Sequence, residues 1–418
     1  MKKFLCLLLA AASLFAHATV LAKPQSKTKE PPQAVIEDDT ASIPSVKIIR
    51  VLLDEQDADQ ESKFIIKSPH GFVLESPTES NNTAVYQKPE LHLLCKDKTL
   101  YLQCRDHRYR RIKYDSIEIC SPQRTLTMGG STYQGSLVIR VDEENNSVLV
   151  INKLPLEDYV YSVVRYESIP SWPLAMQKVQ AIISRTYATF LMQQARLKNP
   201  RFRYFDLKNT NIHQVYNGTH NYTHLRQAVD ETSNLILTHK GNVALTMFDI
   251  CCGGAIPAHM RPKDCSKPYL ARQKRCTFCQ TAPSYQWKED LHITAFLNQL
   301  KNSPNAARKL KHFNGPISEV KAFDCDKAGL VHRIKLFDKN NKAFTLTGND
   351  IRTTSPHKIK SLSFNIKKIR DRIVITGKGY GHQRGVCQWG CKEMVSRGWS
   401  IKGILNFYYP GTKLSRLL

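Results

Sequence analysis

The sequence predicts an α+β fold, a β-rich N-terminal part followed by a mixed α+β part, and three observations carry this. Residues 46 to 152 are short β-branched runs separated by turn residues, as in "SVKIIRVLL", "KFIIKSP", "LHLLCKD" and "SIEICSP". From Leu174 to about Leu197, apolar residues recur at helical spacing: Leu174, Ala175, Val179, Ile182, Ile183, Thr186 and Phe190. Short strand-like and helical runs then alternate to the C-terminus. A chain of 418 residues exceeds one compact core, so two or three domains are expected.

The chain opens "MKKFLCLLLAAASLFAHATVLAKP": two lysines, an apolar run too short to span a bilayer, then small residues at Ala16, Ala18 and Ala22. This predicts a secretory signal over 1–22. Cys6 sits too early in the run for a lipoprotein anchor, and no later stretch has membrane-helix length. An exported protein without a transmembrane anchor is expected. Residues 23–45 are polar and proline-containing, too poor in apolar side chains to fold alone, and read as a flexible tether.

Residues 46–152 read as a small β domain, with a hairpin around "DEENNS", where two alternating apolar runs face each other. In the remaining part, 153–418, Pro173 suits the first turn of the long helix, where its missing N–H costs nothing. "NVALTMF" reads as a strand running into the turn "DICCGGA", whose glycines permit a tight backbone. "LHITAFLNQLKN" is a weak helix. "HRIKLFD", "KAFTLTG" and "DRIVITG" are strands, and "SIKGILNFYYPGTKL" is a short helix stopped by Pro410 and Gly411.

Lys and Arg total 61 against 36 Asp and Glu, a net charge of +25 that predicts attraction to a polyanion. Export argues against nucleic acid, which leaves a membrane surface or an acidic cell-wall polymer. There are twelve cysteines, and all but Cys6 lie beyond the signal. In an oxidising compartment disulfides are the favoured reading. Cys95 and Cys104 flank "KDKTLYLQ", a spacing that fits a bridged hairpin or neighbouring strands. The group Cys251, Cys252, Cys265, Cys276 and Cys279 contains a CxxC, so zinc at Cys252, Cys276 and Cys279 is the alternative to disulfides there.

Four stretches stand out: "LVINKLPLEDYVYSVVRYESIPSWPLAMQKVQAIISRTYATF", "HQVYNGTHNYTHLRQAVDETSNLILTHKGNVALTMFDICCGG", "KPYLARQKRCTFCQTAPSYQW" and "GKGYGHQRGVCQWGCKEMVSRGWSIKGILNFYYPGTKL". Together they resemble the stage II sporulation protein D (SpoIID) family of cell-wall proteins. They occur in the family's order over about residues 120 to 414. The chain departs from the family pattern at Gln383, where glycine is usual, at Cys387, where serine is common, and at Cys391, where alanine is. Some relatives carry a zinc site just before the glutamine-valine-tyrosine stretch; here "FDLKNTNIHQVY" offers His213 and no cysteine.

The resemblance implies a SpoIID-type catalytic region with a glycan-binding cleft, acting as a lytic transglycosylase. Such an enzyme cuts peptidoglycan strands between N-acetylmuramic acid and N-acetylglucosamine without adding water. Most glycosidases need two carboxylates. Here one suffices, because the sugar's own 6-hydroxyl is the nucleophile, tethered at high effective concentration. Glu167 matches the family's glutamate, and Val163, Val164, Tyr166, Ile169 and Trp172 around it can desolvate it and raise its pKa. As a solvated surface acid beside Arg165 it would do nothing; Glu157 and Asp158 are the other nearby carboxylates. Arg185 could clamp the lactyl carboxylate of muramic acid or serve a structural ion pair. Tyr187 and Tyr216 could touch a sugar ring or fill the core. His382, between glycines, and Gln388 are read as substrate-positioning, Trp389 as core. The expected substrate is glycan stripped of its stem peptides, which exposes a carboxylate on each muramic residue. Expected partners are a cell-wall amidase or division proteins, with the protein in the periplasm or cell wall, at the septum among other sites. The rival is a non-catalytic glycan-binding enhancer of such an amidase.

Overall fold

The computed structural model describes residues 47–418 except 77–78, 105, 199–202, 211–212 and 356. The expected signal segment and the whole of the tether lie outside the described residues. The fold is α+β.

Two sheets dominate the first half. A seven-stranded sheet runs in the order Leu207–Lys208, Ile48–Asp57, Ser147–Pro155, Ser136–Asp142, Ser116–Cys120, Phe72–Ser76, Glu79–Tyr86. Its neighbours are antiparallel, except that Leu207–Lys208 joins Ile48–Asp57 in parallel. The "DEENNS" hairpin is present: Ser136–Asp142 pairs with Ser147–Pro155, and Asn146 takes the left-handed conformation that closes the turn. A six-stranded sheet places Ser62–Lys67 beside Glu90–Lys96, which turns back into Thr99–Gln103 through Asp97 and Lys98, both at positive φ. Ser62–Lys67 alternates buried and exposed residues, so one of its faces enters the core.

Ser147–Pro155 is buried along almost its whole length and continues directly into helix α1, Leu156–Glu167. Apolar residues before and after residue 152, among them Ile49, Ile66, Leu93, Ile139, Val163, Ala188 and Leu225, share one core. Glu157 and Asp158 occupy the first turn of α1, where negative charge is favoured.

Helix α2, Leu174–Lys198, follows a short connector. The sequence predicts an amphipathic helix; the structure buries α2 nearly all round. Its polar residues Gln177, Gln180, Ser184, Arg185, Thr186 and Thr189 are inside. They tolerate burial because they are bonded: Thr186 Oγ1 donates to Ile182 O and Thr189 Oγ1 to Arg185 O, while Gln180 Nε2 donates to Ser184 Oγ. Helix α3, Thr223–Asp230, packs on α1 and α2, and Leu235–His239 pairs with the C-terminal strand Lys413–Arg416.

Residues 286–378 form a lobe with its own core, which includes Phe296, Ile334, Leu346 and Ile375. Two three-stranded sheets carry helices α4 (Ile293–Lys301), α5 (Pro304–Lys309) and α6 (Gly348–Thr354). The chain leaves and re-enters at neighbouring points: Gly379 N donates to Tyr285 O at 3.0 Å and Trp287 Nε1 to Gly379 O at 2.9 Å. Helices α7 (Gln388–Ser396) and α8 (Ile401–Tyr408) follow, and α8 ends ahead of Pro410 and Gly411 as expected. Among the described residues no helix is long and apolar enough to cross a membrane.

The segment Gln214–Gly218 is locked against the six-stranded sheet. Gly218 sits at φ +79, where a Cβ would lie 2.2 Å from Thr132 O, and Thr219 N donates to that same oxygen. Gly218→Ala is expected to lower stability by about 1–3 kcal/mol, read by urea denaturation, because it combines backbone strain with a backbone clash.

Candidate functional site

Glu167 is the last residue of α1, at the corner where the chain turns toward α2. Ser168 leaves the helix in an extended conformation, and its hydroxyl lies 2.7 Å from Val164 O and 2.6 Å from Gln177 Oε1. Gln177 Nε2 donates to Ile169 O at 2.8 Å, and His224 Nε2 lies 2.7 Å from Pro170 O. The corner is therefore stitched to α2 by the buried Gln177 and to α3 by the half-buried His224.

The Glu167 side chain is half-buried, and its Oε1 accepts the backbone N–H of Val215 at 2.6 Å. Oε2 accepts no hydrogen bond from any described residue. Burial raises the pKa above the ordinary carboxyl value, and the Val215 N–H opposes this in part. The helix end adds to the effect, because a carboxylate at a C-terminus meets the negative pole of the backbone dipoles. Tyr187 is half-buried within electrostatic reach of Glu167; burial first, then the Glu167 charge, push its phenol up, so it remains a neutral donor.

The other two carboxylates of α1 are committed elsewhere. Glu157 receives both Arg185 Nε at 2.8 Å and Nη2 at 2.6 Å, and also the N–H of Asn234. Asp158 accepts from Arg226 Nη2 at 3.0 Å.

Three of the sequence-predicted binding residues are placed differently from the expectation. Arg185 is fully buried; besides its bidentate pair with Glu157 it donates to Leu235 O and Val229 O, so its guanidinium has no free edge for a substrate carboxylate. Tyr216 is buried, stacked on Tyr159 at 5.4 Å, with its hydroxyl given to Asn152 Oδ1. It is a core residue. Gln388 is buried behind the site: its Nε2 donates to the backbone carbonyl of Glu167 and to Gln180 Oε1. It positions Glu167 and does not face a ligand.

His382 belongs to a neighbouring cluster. Its Nδ1 accepts from Arg384 N at 3.1 Å and lies 3.9 Å from Asp249 Oδ2; its packed surroundings, then the Arg384 and Arg352 cations, push its pKa down to about 3, so the ring is neutral. Asp249, which sequence reasoning missed, is buried, accepts from Gln383 N, and is raised well above the carboxylate range by burial. Gln383 holds φ +65, the conformation that makes glycine usual there, with its amide Nε2 on Lys378 O. Trp389, read as core, is half-buried and meets half-buried Trp172 edge-on at 5.4 Å, next to the Glu167 corner. That pair offers aromatic surface near the site. Only its sequence proximity to Glu167 and Gln388 hinted at it.

Among the described residues all eleven cysteines are unbridged. Cys95 and Cys104 lie on or beside hairpin strands without bridging. Cys252, Cys276 and Cys279 are joined by Cys387 in a buried cluster whose sulfurs all lie within 4.8 Å of one another. His213 accepts from Lys208 N, and among the described residues it has no cysteine partner.

A structural role for Arg185 predicts that Arg185→Leu lowers stability by about 3–5 kcal/mol, read by chemical denaturation, because it strands Glu157. Tyr216→Phe, which leaves Asn152 Oδ1 unpaired, is expected to cost about 1–3 kcal/mol. A variant of either residue that keeps wild-type stability would overturn the structural role.

Comparison with known proteins places the chain in a family. The sequence profile for SpoIID, stage II sporulation protein, matches residues 144–239, which include Glu167 and Val215. An uncharacterized protein of Brachyspira hyodysenteriae is 37% identical over 297 residues, 70% of this chain and 74% of the relative. The stage II sporulation protein D of Bacillus subtilis is 26% identical over 63% of this chain and 76% of its own length. An amidase enhancer of Bacillus subtilis is 24% identical over 71% of this chain, a match that spans 46% of the enhancer. With its corner glutamate, its glutamine-valine-tyrosine segment and its C-terminal glutamine-tryptophan-glycine helix packed together, the chain belongs to the stage II sporulation protein D family.

Proposed function

We propose that the protein is a peptidoglycan lytic transglycosylase in which Glu167 serves as acid and then as base. Family membership and the likeness to an amidase enhancer support a cell-wall-related role. The observation that carries the finer reading is the isolation of Glu167: it is desolvated and raised, while Glu157 and Asp158 are occupied by arginines.

Protonated Glu167 gives its proton to the oxygen bridging N-acetylmuramic acid and N-acetylglucosamine as the bond to the anomeric carbon breaks. The resulting carboxylate then takes the proton of the muramic 6-hydroxyl as that oxygen attacks the same carbon. A 1,6-anhydro ring closes, no water is consumed, and Glu167 returns to its protonated state. The Val215 N–H stabilises the transient carboxylate on Oε1, so the group is raised without being stranded in either state. The neutral phenol of Tyr187 and the Trp172–Trp389 pair supply hydrogen-bonding and stacking surface for sugars. The net charge of +25 favours peptide-stripped strands, which are polyanions, over neutral ones. Export to the periplasm or cell wall follows from the same reading. The other reading, a non-catalytic enhancer of an amidase, rests on the name of the Bacillus subtilis relative.

Mass spectrometry of peptide-free strands incubated with the purified protein is expected to find anhydro-muramyl ends. Glu167→Gln is expected to lower their release by about 10²–10⁴-fold with strand binding retained. If wild type and variant bind alike, release nothing, and both stimulate an amidase, the enhancer reading stands instead.

The raised pKa also fixes the pH dependence. Cleavage needs the protonated acid, so the rate should fall as pH rises through the raised value. For stability, a carboxyl raised in the folded state stabilises below the unfolded value of about 4.3 and loses that contribution as pH rises through the folded value. Glu167→Gln should therefore be more stable than wild type at neutral pH, with the gap shrinking toward acid, as followed by thermal melts across pH.

A further inference from the structure

We propose that Cys252, Cys276, Cys279 and Cys387 bind one zinc ion as a tetrathiolate, a structural centre that fastens the C-terminal segment behind Glu167. All four are buried, and their sulfurs lie within 4.8 Å of one another. The Cys252–Cys279 separation is 3.7 Å. Four sulfurs each about 2.3 Å from a central zinc stand about 3.8 Å apart in a tetrahedron, whereas a disulfide needs about 2.05 Å. Four thiols would release four protons to solvent on binding, leaving a centre of net charge −2.

The surroundings are built for sulfur as an acceptor. Cys387 Sγ receives the N–H of Cys252 at 3.2 Å and of Gly390 at 3.4 Å, and the Tyr408 hydroxyl lies 3.3 Å from Cys276 Sγ. Donors to thiolates are the usual second layer around such a metal. Gly390 leaves the necessary space, since a Cβ there would approach Cys276 Sγ to 2.8 Å. Cys387 is also the N-cap of α7, a position that oxygen side chains serve better. A metal-ligand role accounts for a thiol at that place.

The four ligands come from three separate segments: the turn before Gly253 and Gly254, the CxxC loop, and the start of α7. The backbone of Cys251 pairs with Tyr380 on the loop that carries His382, and Gln388, next to Cys387, bonds the carbonyl of Glu167. One ion would thus tie three segments to a single point. The lobe of residues 286–378 separates two of them in sequence, so closing this long loop is where a metal clip contributes most.

Elemental analysis of the full-length protein, purified without chelator, should find about one zinc per chain, released by a mercurial thiol reagent. Cobalt exchanged into the site should give thiolate-to-cobalt charge-transfer bands and intense tetrahedral d–d bands. Cys279→Ser should lose most of the zinc and Cys325→Ser, an exposed thiol outside the cluster, should keep it. Wild-type protein with no metal and a non-reduced mass two hydrogens lower per bridged pair overturns the proposal in favour of disulfides. A red, iron-containing protein overturns the assignment to zinc. Because wild type alone answers through metal content, mass and spectrum, a variant that fails to fold leaves the test intact. No readout depends on glycan cleavage.

Discussion

The bidentate pair between Arg185 and Glu157 is the constraint on which the rest depends. A guanidinium with no solvent exposure must have all its charge answered nearby, and it is answered by one carboxylate and two carbonyls. These come from α1, the end of α3 and the strand Leu235–His239, so one side chain of α2 fixes all three elements. With α1 held at its first turn, its last residue is held too. Glu167 therefore emerges at one defined corner.

That corner is arranged so that a single carboxyl can occupy both protonation states. Burial and the helix end favour the neutral acid; the Val215 N–H favours the anion. Under the proposed mechanism the group gives and regains a proton, and two opposed influences on one carboxyl suit that exchange. Behind the corner, the amides of Gln177 and Gln388 hold backbone carbonyls, so the geometry is set by satisfied polar groups more than by apolar packing alone. The same residues explain why α2 carries so much polarity without exposing it.

Element type was largely legible before the tertiary structure: the "DEENNS" hairpin, the long helix with its proline start, the strand "HRIKLFD" and the helix ended by Pro410 all follow from local pattern and turn chemistry. The amphipathic reading of α2 failed because periodicity counts apolar residues, while burial of Arg185 and Gln180 depends on partners far away in sequence. Tyr216 failed for the same reason. Its partner Asn152 sits on a strand sixty-four residues earlier, and nothing local distinguishes a tyrosine facing sugar from one facing an asparagine. Asp249 gave no signal at all, since its burial arises from Gly381 and Gln383 folding over it.

By itself, the sequence determined the α+β class, the order of its elements, the strongly basic charge and the one glutamate singled out by its motif, because these depend on short-range pattern and composition. Only the tertiary structure decided which charged and aromatic side chains are committed inward, and that Cys387 completes the cluster begun by Cys252, Cys276 and Cys279. The reason is physical: hydrogen bonds, ion pairs and metal geometry require atoms within a few ångströms, and proximity between distant segments is a property of the packed chain alone.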